Sequence, residues 1–518
     1  MSAPQGQLFY GDCLTIMQSM KSSSVDLIYL DPPFNSNRAY NAIYKDETGR
    51  PLPDQVEAFC DLWTLNEESE RIIKQMPVLL REAGIPDETV EFWRLWMNAL
   101  RSTDSKMLAY LSYMVQRLVV MKHLLRPAGS IYLHCDPTAS HYIKVMMDGI
   151  FGHGNFRNEI AWCYKSRPQP RRHFGKKHDV ILFYSKSDDY LFNFKAVMRE
   201  LSEATKKKYK HDDDDGRKFR LSGRGIKGSP IQSQKDVPLQ WEIDAPHLTV
   251  REYLDENEGA SREDWWTDIN PINQNAKERM GYDTQKPIDL MDRIIMASSN
   301  EGDVVLDPFC GCATTLESAH RLNRKWIGID IAIHAIKRVA AVRLGERCHL
   351  RQGRDFEITG VPHTLEGAMD LWKRDKYHFQ KWAVEEVDGF VTTKQTADGG
   401  IDGRLYFDMP GERDLQSMVL EVKGGKNVTI ADLRALHSVL EREEALMAGL
   451  IIMEPLGERK MNNFQKLAAE AGDLDVPGSA RLYPKIQILS VPEILEGTRF
   501  HTPTPMGRAE SAQKQIEL

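Results

Sequence analysis

The chain has 518 residues, of which 41% are hydrophobic and 28% charged, with a formal net charge of −7. At roughly 100–200 residues per domain this is too long for one ordinary domain, and no apolar run approaches the roughly 18 residues that a membrane span needs. Seven scattered cysteines argue against a disulfide framework and fit a reducing compartment.

The first residues, MSAPQGQLFYGD, lack a basic segment followed by an apolar one, so the expectation is a soluble, cytoplasmic protein. Residues 25–34, VDLIYLDPPF, and 130–136, SIYLHCD, read as short apolar strands that end in polar residues, as buried strands of an α/β sheet do. Between them, Leu108, Leu111, Met114, Val115, Leu118, Met121 and Leu124 recur at helical spacing and predict a helical insertion with a crossover helix. A third strand is expected at 179–186, DVILFYSK. Composition then shifts toward charge and glycine over 187–265, which marks a separate module. DVVLDPFCG and KWIGIDI at 303–311 and 325–331, with an amphipathic helix between them, form a βαβ unit.

Asp31-Pro32-Pro33-Phe34 stands directly after an apolar strand, at the carboxyl end where open α/β sheets bind ligands. An exocyclic amine is a poor nucleophile because its lone pair is delocalised into the base ring. If Asp31 accepts one amine hydrogen and the Pro32 carbonyl the other, the lone pair is aimed at a methyl donor instead. Pro32 and Pro33 hold that carbonyl rigidly, and Phe34 offers a flat apolar face to a base swung out of the duplex. Alone, Asp-Pro-Pro is a common loop sequence; its position gives it weight. The turn Asp307-Pro308-Phe309-Cys310-Gly311-Cys312-Ala313-Thr314-Thr315 lets backbone approach a cofactor closely. Asp330, ending the next strand, is placed to take ribose hydroxyls. The single-residue spacing of Cys310 and Cys312 does not suit zinc, so both are expected to be small loop residues.

With GDCL (Gly11 to Leu14), NFRNEIAW at 155–162 and Thr284-Gln285-Lys286-Pro287, these strings resemble the amino-methyltransferases of DNA over about residues 7–360. The resemblance is to the circularly permuted β-class, in which the catalytic motif precedes the cofactor motif. It implies an S-adenosylmethionine-dependent enzyme with a Rossmann-like sheet, acting on double-stranded DNA. Carried over by motif, Asp12 contacts the cofactor's adenine, and Thr284, Lys286, Asp307, Phe309, Gly311, Ala313 and Thr314 contribute to the cofactor pocket, with Asp330 on the ribose. Cys312-Ala313 departs from the commoner Ser-Gly, but both residues are small. Asp before Pro-Pro favours adenine N6 over cytosine N4. Basic residues cluster between 165 and 228, and the module at 187–265 falls where the class places target recognition. Arg217, Arg220, Arg224 and Lys227 are candidates to read base edges or grip phosphates.

Further on, Asp398-Gly399-Gly400-Ile401-Asp402-Gly403 precedes a strand carrying Glu421-Val422-Lys423. Strand alternation puts Glu421 and Lys423 on one face, where Asp402 and Glu421 are candidate Mg²⁺ ligands and Lys423 polarises an attacking water. Glu-x-Lys also occurs on any half-exposed strand. The segment resembles the Mrr-like branch of the restriction-endonuclease fold, with Gln380 at an auxiliary position. That implies a Mg²⁺-dependent endonuclease; a non-cleaving DNA-binding or dimerisation unit is the competing expectation.

The expected architecture is therefore α/β throughout. Residues 1–186 form the catalytic half with its helical insertion at about 46–126, 187–265 the target-recognition region, and 266–360 the cofactor-binding half. Residues 361–499 form the nuclease-fold domain and 500–518 a flexible tail. Restriction–modification or phage defence is the expected setting, and a homodimer is expected because one metal site cuts one strand.

Overall fold

The computed structural model describes every residue except 1–5, 34–39, 42–56, 60–62, 165–171, 173, 225–235, 274–275, 281–283, 334, 393–400, 411–414, 426, 444, 478–480 and 506–518. Its largest element is a nine-stranded sheet. In chain order the strands are β1 (Gly6–Tyr10), β2 (Val25–Leu30), β3 (Leu125–Cys135), β4 (Phe156–Cys163), β5 (His178–Ser185), β6 (Trp265–Trp266), β7 (Val304–Asp307), β8 (Lys325–Asp330) and β9 (Phe356–Thr359). Across the sheet they run β6-β4-β5-β3-β2-β7-β8-β1-β9. Only β5 runs against the others, pairing antiparallel with β3 and β4. The chain moves outward in one direction from β2 to β3 and in the opposite direction from β7 to β8. The crevice between the carboxyl ends of β2 and β7 is thus a topological switch point, where such sheets bind ligands.

The central strands β2, β3, β5 and β7 are buried on both faces over most of their length and read as nearly continuous apolar runs. On one face lies the helical insertion, Glu67–Glu82, Asp87–Thr103 and Ser105–Leu124. Asn66 and Ser69 close a capping box on the first helix and Asp104 caps the third. The first two helices pack on each other and on the third, and their buried stripes Ile72, Met76, Leu80 and Val90, Trp93, Met97 belong to the same apolar cluster as Ile28, Leu30 and Leu133. On the other face, helices Ile288–Ser298 and Thr314–Arg321 cover Tyr29, Tyr132 and Val305.

The 187–265 region contains a three-stranded antiparallel sheet of His211–Asp212, Lys218–Gly223 and Thr249–Tyr253. The boundary expected at 265 falls inside β6, which pairs with Ala161 and Trp162 and ties the region to the large sheet's edge.

The C-terminal part has its own sheet, ordered β10 (Phe390–Val391), β11 (Gly403–Asp408), β12 (Gln416–Lys423), β13 (Met447–Ile452) and β14 (Ile486–Ser490). β12, β13 and β14 are parallel, with helices Ile430–Arg442 and Glu458–Glu470 in the crossovers. The chain does not turn flexible at 500. Phe500 is buried, and Thr504–Pro505 pairs with the end of β11, because that edge of β11 would otherwise leave backbone groups unpaired. Nor does the apolar core stop at 361. Ile333, Ile336 and Tyr10 share one cluster with Phe379, Trp382 and Val384 of helix Lys376–Glu386. Among the described residues no helix is long and apolar enough to cross a membrane.

Candidate functional site

The adjacent parallel strands β2, β7, β8 and β1 each deliver an aspartate at the carboxyl end: Asp31, Asp307, Asp330 and Asp12. Each side chain is held differently.

Asp31 follows the last residue of β2. Its Oδ2 accepts a hydrogen bond from the ammonium of Lys286, two residues before helix Ile288–Ser298. Its Oδ1 is buried and has no hydrogen-bond partner among the described residues. A buried acceptor left without a donor costs about 1–3 kcal/mol, and such a group in a native site calls for a ligand or a water. Pro32 is buried and Pro33 half-buried, while Phe34 lies outside the described residues.

Asp307 is almost fully buried. Its Oδ1 accepts from the Phe309 N–H at 3.0 Å and its Oδ2 from the Thr315 hydroxyl at 2.6 Å. Burial outweighs those bonds and pushes its carboxyl up to about 7. Asp330 accepts from the Gly311 N–H at 2.9 Å and the Ala332 N–H at 2.8 Å, and burial raises it as well. The Gly11 N–H donates to the Asp330 carbonyl at 2.9 Å, which pins the end of β1 to β8. Gly11 has φ +143° and Gly311 φ +46°, so both sit where a side chain is strained. Ala313 also lies in the left-handed region, at φ +61°.

Asp12 caps helix Cys13–Gln18 through the Leu14 N–H and pairs with the buried Arg117 at 2.7 Å. Arg117 comes from the helical insertion and stacks over Tyr113, 3.3 Å from its ring centroid. Thr314 is buried, its hydroxyl 3.0 Å from Nη1 of Arg343. Arg343 is fully buried, pairs with Glu317, and braces the turn from below. Phe309 is half-buried and Thr284 exposed.

Sequence reading missed Arg117 and Arg343, since a lone arginine on an apolar helix face gives no local sign of what it pairs with. It also missed a polar chain beside Asp31. The Tyr29 hydroxyl lies 2.9 Å from His134 Nδ1, and His134 Nε2 lies 3.1 Å from Asp179 Oδ2. Tyr164 donates to Asp179 Oδ1 at 3.0 Å. The signal was present: Tyr29 and Asp31 alternate onto one face of β2.

The three described arginines expected to face DNA are engaged within their own region. Arg217 pairs with Asp255 at 2.8 Å and Glu256 at 2.6 Å. Arg220 is 7% exposed and pairs with Glu252 at 2.5 Å, and Arg224 donates to the Thr249 carbonyl at 2.6 Å. Lys227 lies outside the described residues. Exposed cations do occur at the carboxyl edge: Arg172 and Lys176 stand in the hairpin between β4 and β5, whose neck is closed by the Tyr164 N–H and Lys177 carbonyl at 2.9 Å.

In the C-terminal sheet, Glu421 Oε1 lies 2.7 Å from Lys423 Nζ, which also reaches Asp432 Oδ1 at 3.4 Å. Asp402 Oδ2 accepts from the Val422 N–H at 2.7 Å. Burial raises both Asp402 and Glu421 above the ordinary carboxylate range. Among the described residues no group of three or more metal-ligating side chains occurs, and Asp398 to Gly400 lie outside them.

A family model described as DNA methylase matches residues 25–341. The Type II methyltransferase M.EcaI of Enterobacter cloacae is 31% identical over 258 residues, 45% of this chain and 56% of that protein. The DNA adenine methyltransferase YhdJ of Escherichia coli strain K12 is 24% identical over 332 residues, 64% of this chain and 80% of that protein. The chain thus spans about half the length of several curated relatives it matches: 56%, 54% and 49% of the first three. The TTHA0409 protein of Thermus thermophilus, solved with S-adenosyl-L-methionine, aligns with TM-score 0.34 and 15% identity over 68% of this chain and 97% of that one.

Proposed function

From the premise that the chain belongs to the N6/N4 family of DNA methylases, we propose that it transfers a methyl group from S-adenosylmethionine to adenine N6 in double-stranded DNA. The observation that carries this reading is the buried Oδ1 of Asp31 at the switch point, without a hydrogen-bond partner among the described residues. Lys286 occupies Oδ2 and so fixes the rotation of the carboxylate. That leaves Oδ1 as the acceptor for one amine hydrogen, with the rigid Pro32 carbonyl for the other. Both bonds draw the nitrogen lone pair out of the ring, and the developing cation on nitrogen is stabilised by the carboxylate.

The cofactor pocket is assigned to the turn 307–315 with Asp12, Lys286 and Asp330. The chemistry of the carboxylates fits a cation: Asp307 and Asp330 end neighbouring strands beside the turn, and Asp12 follows the strand beyond them. S-adenosylmethionine supplies the electrophilic methyl group when bound. Asp330, held by two backbone N–H groups, keeps its carboxylate oriented for ribose hydroxyls. The order of motifs, catalytic strand before cofactor turn, supports a permuted β-class arrangement. Asp rather than Ser before Pro-Pro, and the adenine methyltransferase YhdJ among the relatives, support adenine over cytosine N4. Duplex binding is assigned to the exposed cations Arg172 and Lys176 beside the site, with the 187–265 region for sequence recognition.

A second reading concerns the C-terminal sheet. Asp402 and Glu421 would hold Mg²⁺, which supplies Lewis-acid activation of a phosphodiester. Lys423, already against Glu421, would orient the attacking water. The raised carboxyls favour this, because two buried acids lacking full compensation favour a cation between them. Duplex cleavage would then call for two copies of the chain, in a restriction–modification setting.

Purified full-length protein incubated with unmodified duplex DNA, with and without S-adenosylmethionine and Mg²⁺, tests both readings. Modified bases and cut ends are mapped by single-molecule sequencing. N6-methyladenine is expected, and N4-methylcytosine or no modified base would overturn the methylation reading. Absence of Mg²⁺-dependent ends would overturn the second.

A further inference from the structure

The backbone ladder between β2 and β3 ends at the pair Leu30 and Leu133. Asp31 and His134 stand one step beyond it, on the face that carries Tyr29 and Tyr132. No ladder bond therefore fixes Asp31, and side chains must do so. β5 runs antiparallel, with Cys135 opposite Val180 as its last pair with β3. This direction brings the start of β5, at Asp179, beside the end of β3.

The hydrogen-bond order follows from the groups. A carboxylate only accepts, so His134 Nε2–H donates to Asp179 Oδ2; in the neutral ring Nδ1 then accepts from the Tyr29 hydroxyl. Tyr29 and His134 are buried, so removing one member leaves the next with an unmet bond. Asp179 has two further ties. Tyr164, at the neck of the basic hairpin, donates to its Oδ1. Burial pushes its carboxyl up, yet the bond from His134, the charge of Lys286 and the bond from Tyr164 hold it below its ordinary value. The Lys286 ammonium thus lies in the field of Asp179 while bonded to Asp31.

We propose that Tyr29, His134 and Asp179 form one positioning chain for methyl transfer, which sets Asp31 and Lys286 and links them to the hairpin bearing Arg172 and Lys176. This rests on the reading of Asp31 as the amine acceptor. None of the three is a catalytic residue. They hold the end of β2 where the ladder no longer does, and they act as a unit.

The test is a double-mutant cycle in the full-length protein. Single-turnover transfer of radiolabelled methyl groups to duplex DNA is measured for Tyr29→Phe, Asp179→Asn and the double variant, with cofactor and DNA affinities alongside. Each single variant is expected to slow transfer about tenfold with both affinities unchanged, and the double variant to be little slower than the worse single. Costs that simply multiply, or rates within about twofold of the unaltered protein, overturn the inference. If Asp179→Asn does not fold, Tyr29→Phe with His134→Gln completes the same cycle. Asp31→Ala is the control. If it abolishes transfer while the chain variants stay within about twofold of the unaltered rate or their costs multiply, only this inference falls; if it retains the rate, the amine-acceptor reading falls and this one with it.

Discussion

The ammonium of Lys286 is hydrogen-bonded to Asp31 Oδ2 across 255 residues of chain, while Oδ1 has no hydrogen-bond partner among the described residues. The catalytic and cofactor halves of the sheet are therefore joined at the atom where the chemistry is assigned. Lys286→Met removes the partner of a largely buried carboxylate and frees its rotation. Methyl transfer is expected to fall by about 10²-fold or more, the range seen when a preorganised electrostatic contact is lost. Lys286→Arg should recover part of it. Single-turnover rates on duplex DNA are the measurement, and an unchanged rate for Lys286→Met would remove Lys286 from the site.

Asp307, raised to about 7 by burial, predicts a pH dependence. Its folded-state value lies above its unfolded one, so the folded form binds the extra proton between them. The stability it contributes is fully present below about 4 and is lost as pH rises through about 7. Asp307→Asn should flatten that slope in denaturant titrations between pH 4 and 8. The cationic cofactor favours the ionised carboxylate, so binding by calorimetry should release protons and strengthen as pH rises through about 7. A pH-independent affinity in that window would contradict this.

Ala313 occupies the left-handed region at φ +61°, which costs a side chain about 1–2 kcal/mol. Ala313→Gly removes that cost but adds freedom to the unfolded chain, worth about 0.4–1 kcal/mol in the other direction. The net expectation is a gain of about 0.5–1 kcal/mol in chemical denaturation. Loss of stability would mean that the Ala313 methyl packs more favourably than its backbone is strained.

Arg220 and Arg172 should separate structure from DNA contact. Arg220→Ala breaks a buried pair with Glu252 and is expected to lower stability while leaving the salt dependence of DNA binding unchanged. Arg172→Ala or Lys176→Ala should leave the melting temperature alone and reduce the slope of log affinity against log salt by about one each. The opposite pattern would return Arg220 to the DNA interface.

Ending the chain at Gly360 would cut the apolar cluster that Tyr10, Ile333 and Ile336 share with Phe379, Trp382 and Val384. It would also remove Glu385, whose Oε2 accepts the Ile333 N–H at 2.9 Å, and the pair of Glu386 with Lys337 at 3.0 Å. The truncated protein is expected to be aggregation-prone and to melt well below the full chain by scanning calorimetry. An equally stable truncated form would mean that the two cores are independent.

Sequence by itself determined the strands and which side chains end them. Apolar runs ending in Asp31, Asp307 and Asp330, and the βαβ unit between 303 and 331, are local patterns of period and punctuation, and each appears in the fold where the pattern places it. What they lacked was partners. The pairing of Asp31 with Lys286, of Asp12 with Arg117 and of Thr314 with Arg343 depends on sheet order and on which helix covers which face, which no local period encodes. The same holds for Arg220, whose charge suggested DNA until the antiparallel strand brought Glu252 beside it. The core that crosses residue 361 was hidden because composition changes there while packing does not. Local sequence fixes what a segment can become; the burial of apolar faces against one another decides which charges meet.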